Sequence, residues 1–128
     1  MHKSVGAIIR NGDKILLLDR ASLPYGFAAP AGHVEPGEDP EDAITREVKE
    51  ETNLHVIASQ ILSNEVLNNN LCKRGGKVHE WFVFECSVKG NIRKNEESKS
   101  LNWYSVNEIK KLKLEPSWEY WFKKLKII

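Results

Sequence analysis

The chain is short of cysteine, of net charge and of long apolar runs, and each shortage removes a class of function. Its two cysteines, Cys72 and Cys86, share no metal-type spacing and make no disulfide framework. Both are read as free thiols of a reducing compartment. The formal net charge is +1, so there is no bulk electrostatic case for a nucleic-acid or membrane partner. No apolar run approaches the ~20 residues that span a bilayer. Met1-His2-Lys3 runs straight into an extended stretch with no signal-type hydrophobic segment, so the expected location is cytoplasmic. No repeat or low-complexity segment is visible. What remains is an ordinary globular balance, 41% hydrophobic and 29% charged over 128 residues, which suggests one domain, 1–128, with a proper core.

What the chain does have is one acidic helix behind a glycine-rich turn, from Gly32 to Leu54. Asp39 is the expected N-cap, its carboxylate accepting the orphan backbone donors of the first turn. Pro40 suits the first helical position, where its missing N–H is not needed. Asn53 is expected at the stop, since Asn is the usual second choice after Gly for a left-handed residue. At 100° per residue, Ala43, Ile44, Val48 and Leu54 form the buried face, while Thr45, Arg46, Lys49 and Thr52 point to water.

Glu47 and Glu51 fall inside the apolar arc, and Glu50 lies at its edge. Related by i, i+3 and i+4 spacing, they repel by about 0.2–0.5 kcal/mol per pair even in water, and more when desolvated. A solvated acidic face balanced by Lys and Arg is the alternative, but three glutamates gathered towards the apolar side favour a bound cation. Hard carboxylate oxygens suit Mg²⁺, Mn²⁺ or Ca²⁺.

Gly32, then Glu38, then Arg46-Glu47-Val48-Lys49-Glu50-Glu51-Thr52-Asn53-Leu54 resembles the Nudix box, G-x5-E-x7-R-E-U-x-E-E-x-G-U with U aliphatic. Every fixed position matches except the last glycine, which is Asn53. Asn reaches the same left-handed conformation at modest cost. The approach Phe27-Ala28-Ala29-Pro30-Ala31-Gly32 is also similar to the family's, with Ala31 where a second glycine is common.

Along the rest of the chain, Ser4 to Arg10 reads as a buried strand, and Asn11-Gly12 as a hairpin turn leading to a strand over Asp13 to Arg20. Ala21 to Gly26 is a loop, and Phe27 to Glu35 a short extended piece. His55 to Leu67 is expected as a long strand and Asn68 to Lys77 as a polar loop. Val78 to Val88 follows, its Trp81-Phe82-Val83-Phe84 run suggesting burial on both faces. Lys89 to Lys99 is a charged loop and Leu101 to Tyr104 a short strand. Ser105 with Glu108 predicts a capping box for a helix over Val106 to Lys113. Pro116 opens a last helix in which Trp118, Trp121, Phe122 and Leu125 recur at helical spacing as core, with Trp118 towards a rim.

The resemblance implies the Nudix α/β/α sandwich with a mixed central sheet. It implies a metal-dependent hydrolase that cleaves the diphosphate linkage of a nucleoside diphosphate derivative or triphosphate by water attack, with Mg²⁺ or Mn²⁺ as cofactor. Carried over residue by residue, Glu50 and Glu51 are metal ligands, and Glu47 is a ligand or the base. The Gly32 carbonyl joins the metal site. Glu38 and Arg46 pair to fix the loop, and Arg46 stands with Glu47 and Glu50 in the catalytic set. Glu97, six residues before Trp103, matches the acidic loop residue that completes the site in MutT-like members; a solvated loop acid is the equal alternative. Glu80 and Glu85 are weaker candidates for that role. Phe27 and Trp118 are candidate substrate contacts.

Asn68 to Cys72 carries neither the proline of ADP-ribose subfamilies nor the tyrosine of dinucleoside polyphosphate hydrolases, and a coenzyme A signature is absent. The short chain is similar to MutT-type triphosphate enzymes, although Trp118 stands where a base-reading Asn does, which weakens an oxidised-guanine reading. The expected partner is a small nucleotide; many family members form homodimers, but no residue here demands one. Two other readings are an enzyme of RNA 5′ ends, tracked by Lys73-Arg74 and Arg93-Lys94, and a non-catalytic nucleotide-sensing module. Intact Glu47, Glu50 and Glu51 argue against the module, and a steep salt dependence would mark the RNA enzyme.

Overall fold

The computed structural model describes residues 2–68 and 78–128. The element order is β1 (His2–Asn11), β2 (Lys14–Arg20), β3 (Phe27–Ala28), β4 (Ala31–His33), α1 (Pro40–Thr52), β5 (His55–Leu67), β6 (His79–Lys89), β7 (Ser98–Ser105), α2 (Val106–Ile109) and α3 (Pro116–Lys124). The Asn11-Gly12 turn forms as expected, with Gly12 at φ 63°. Most of the Asn68 to Lys77 loop, including Cys72, Lys73 and Arg74, lies outside the described residues.

The strands join in the order β3-β2-β1-β6-β5, with β4 paired to β1 and β7 to β2. β1 and β6 run parallel while the other pairs are antiparallel, so the sheet is mixed. Alternation along β1 shows why helices cover both sides. Val5, Ala7 and Ile9 pack with Ala43, Ile44 and Val48 of α1. Ile8 packs on the other face with Trp118, Trp121 and Phe122 of α3. Gly6 on that same face is a packing requirement, because a Cβ there would lie 2.4 Å from the Trp118 ring. The α/β/α sandwich follows from this two-sided burial.

Several local expectations are corrected. Asp39 has N-cap backbone geometry, but its side chain makes no cap hydrogen bond; its backbone carbonyl accepts from Ala43 N–H at 2.9 Å. Thr52 does not point to water. It is fully buried, and its hydroxyl donates to the Val48 carbonyl at 2.6 Å and accepts from Leu54 N–H at 3.1 Å. The Ser105–Glu108 capping box forms, yet α2 ends at Ile109 instead of continuing to Lys113. The Lys113 carbonyl and the Glu115 N–H bond instead to the backbone of Phe27, which draws the chain out of the helix. β7 begins at Ser98, three residues earlier than its apolar run, because β2 pairs with it over that length. Trp118 is no rim residue: it is 1% exposed.

β6 is buried through Trp81, Val83 and Phe84, as its apolar run suggests. β5 forms over its expected range as an edge strand, exposing Ile57, Ile61 and Val66. Among the described residues, no helix is long and apolar enough to cross a membrane.

Candidate active site

The site is built where α1 lies across β4. Asn53 ends the helix at φ 70°, with its backbone N–H donating to the Lys49 carbonyl at 3.0 Å, the geometry the glycine of the box would supply. Its side-chain amide donates to the Asn91 carbonyl at 3.1 Å, and Asn95 donates to the Glu50 carbonyl at 3.0 Å. The loop before β7 is thereby tied to the end of α1.

Arg46 organises the other end. Its guanidinium makes a two-pronged pair with Glu38 at 2.9 Å on both oxygens, donates to the His33 carbonyl at 2.9 Å, and reaches Glu47 at 2.8 Å. Glu50 lies 3.5 Å from the same group. Glu38 also accepts from Glu35 N–H at 3.0 Å, closing the turn. The Arg46 bonds, with that backbone donor, hold the Glu38 carboxyl down at about 2. Such a planar fork fixes position as well as charge.

Glu47 and Glu51 lie inside. Register pairs Val5 with Gly32, so Gly32 sits on the α1 side of the sheet. A Cβ at Gly32 would come within 2.1 Å of the Glu47 carboxyl carbon. Only glycine lets this strand and that carboxylate share the space. Burial raises Glu47 to about 7, against the pull of Arg46 and with Glu50 and Glu97 adding to the rise. Glu51 is 7% exposed and is pushed well above the carboxylate range, by burial first and then by the charge of Glu47. The Ala31 N–H donates to it at 2.7 Å and offsets part of this.

These groups border a cavity of about 210 Å³ whose wall holds six glutamates, Glu35, Glu47, Glu50, Glu51, Glu97 and Glu115, and a single arginine, Arg20. Glu97 therefore joins the cluster. Glu80 and Glu85 do not line it: Glu80 is bonded by Asn64, and Glu85 pairs with Arg10. Phe27 also stays outside the wall, packing edge-on against Tyr104 with ring centroids 5.7 Å apart. Trp118 contributes to the wall, but as part of its floor, wedged edge-on against Trp81.

Other wall residues escaped the sequence reading. Arg20 donates to the Pro24 carbonyl at 2.7 Å and holds the loop after β2. Glu115 caps α3 by accepting from Ser117 N–H at 2.9 Å; its place directly before Pro116 is the one local signal that could have found it. His33 and His79 carried no such signal, because only strand register brings them here.

The donor set fits a hard divalent cation. Desolvated carboxylate oxygens gather beside a glycine that leaves room, and they outnumber the two guanidinium groups near them, Arg20 in the wall and Arg46 against Glu47.

The NUDIX domain family model matches residues 1–125. An uncharacterized Nudix hydrolase of Bacillus subtilis, YvcI, is 31% identical over 121 residues, spanning 91% of this chain and 73% of that protein. An ADP-ribose pyrophosphatase of Methanocaldococcus jannaschii is 32% identical over 111 residues, spanning 85% of this chain and 64% of that one. The MutT protein structure from Methanosarcina mazei superposes with a TM-score of 0.79 at 24% identity, over 98% of this chain and 92% of that one, a likeness of fold. With the box helix, its glycine and its carboxylates assembled on this sheet, the chain belongs to the Nudix family of hydrolases, enzymes that act on phosphorus anhydrides.

Proposed function

We propose that this chain is a divalent-metal-dependent pyrophosphohydrolase that cleaves the diphosphate linkage of a nucleoside triphosphate or nucleoside diphosphate derivative by water attack on phosphorus. One observation carries the reading: Glu47 is desolvated against Gly32, and Glu51 is buried close enough to feel its charge. A polyphosphate would be repelled from such a wall unless a cation lay between.

Glu50 and Glu51 would hold Mg²⁺ or Mn²⁺, with Glu47 as a further ligand or as the base and the Gly32 carbonyl beside them. When bound, that ion neutralises the diphosphate and lowers the pKa of a coordinated water. The chain's own groups do the rest. Arg46 fixes the Glu47 carboxylate by its 2.8 Å bond while Glu38 anchors the guanidinium. The water's proton passes to Glu47 or to Glu97, both in the cavity wall. Trp118 closes the floor and keeps solvent from the substrate's buried side. The length and site are compatible with triphosphates, and the relatives' printed activities include ADP-ribose hydrolysis and nucleoside triphosphatase activity.

Product release from a panel of NTPs, dNTPs, oxidised nucleotides, nucleotide sugars, ADP-ribose and dinucleoside polyphosphates tests this. Monophosphate release that requires Mg²⁺ and vanishes with chelator is expected. Turnover retained by Glu50→Gln, or in chelator, would overturn the metal assignment.

A further inference from the structure

On the face of β4 opposite Glu47, the sheet brings three histidines together. Parallel register sets His2 of β1 opposite His79 of β6, and antiparallel register sets Ser4 of β1 opposite His33 of β4. His2 and Ser4 are two residues apart, so all four side chains share one face. Gly32, one residue from His33, consequently faces α1 and Glu47 instead.

The imidazole centroids are 5.6 Å apart for His2 and His33, 5.2 Å for His2 and His79, and 5.6 Å for His33 and His79. Each ring offers a nitrogen within 4.8 Å of those of the other two. Four-coordinate Zn²⁺ at its usual Zn–N distance wants such atoms about 3.3 Å apart, a closure that small side-chain rotations supply. Ser4 Oγ lies 2.8 Å from His79 Nδ1. That contact orients the ring, as an outer hydrogen bond does for ligating histidines.

We propose that His2, His33 and His79 form a second metal site, selective for Zn²⁺ or a neighbouring late transition ion and distinct from the carboxylate site. Three imidazoles suit such ions, whereas Mg²⁺ seeks oxygen. His33 and His79 also border the cavity that the glutamates line, so an ion held by them would add a divalent charge beside that wall. The site does not depend on which nucleotide the enzyme hydrolyses.

Cobalt substitution tests it, using the full chain without an added tag and with millimolar Mg²⁺ present to occupy the carboxylates. One equivalent of Co²⁺ should give the intense visible bands of a four-coordinate ion, and equimolar Zn²⁺ should bleach them. His2→Ala and His33→Ala should each abolish the bands, with circular dichroism unchanged; Glu50→Gln should keep them. His2 is at the start of β1 and half-buried, so His2→Ala decides alone if His33→Ala does not fold. A weak six-coordinate spectrum, bands that survive His2→Ala, or bands lost in Glu50→Gln would each overturn the site.

Discussion

Gly32 and Glu47 show how closely single residues are fitted here. An added methyl at Gly32 would meet the Glu47 carboxylate at 2.1–2.5 Å. Gly32→Ala should therefore displace Glu47 and lower kcat by about 100-fold, the scale of an ångström misplacement at a reacting centre. Steady-state kinetics, with a thermal melt showing a folded protein, checks it. Glu97→Gln assigns the base. A fall in kcat of about 10²–10⁴-fold places the proton on Glu97, and unchanged kcat places it on Glu47. Glu47 also makes the metal-free protein sensitive to pH. Its folded value near 7 exceeds the ordinary 4.5, so between those values the folded state holds a proton the unfolded chain has released. Stability is then lost as pH rises from about 4.5 through 7. In chelator, Tm should fall across that window more steeply for the native chain than for Glu47→Gln. Added Mg²⁺ should restore Tm most at the alkaline end, because it binds the folded carboxylates.

At the scale of elements, α1 is held at both ends by contacts its sequence only partly announces. The predicted side-chain cap of Asp39 is absent, and the Glu38–Arg46 pair fixes that end instead. At the other end Asn53 combines a left-handed backbone with a side-chain bond to the Asn91 carbonyl. Asn53→Ala should lose about 1 kcal/mol from the left-handed strain alone, and more from the missing bond, while Asn53→Gly should be milder. Urea denaturation of the two variants separates backbone from side chain. The phase of α1 was legible because 100° steps are a local property, and Ala43, Ile44, Val48 and Leu54 are all buried. Thr52 broke the pattern because its hydroxyl could be satisfied within its own turn, which makes a polar residue cheap to bury. α2 stopped early because pairing with Phe27 is a tertiary contact that no helical propensity registers.

For the whole molecule, the central strand must present the right atom to each helix. Gly6→Ala would drive a methyl to 2.4 Å from Trp118, forcing α3 off the sheet. We expect a loss of about 1–3 kcal/mol or more, measured by thermal denaturation, since overpacking a dense core displaces backbone. Because Trp118 is also the cavity floor, KM for the nucleotide should rise in the same variant.

The sequence by itself determined the box helix, its left-handed stop, the capping box at Ser105 and the clustering of Glu47, Glu50 and Glu51. All of these rest on residues within a turn or two of one another, where spacing dictates geometry. Tertiary structure decided the rest. It drew Glu97 to the cavity through a loop tied to Glu50, added Arg20 and Glu115 to the wall, and left Phe27 outside it. It turned Trp118 from a rim residue into a floor, and set His2 opposite His79 across the parallel β1–β6 pair. Strand partners are chosen by which faces bury together, and side chains far apart in the chain meet only once that register is fixed.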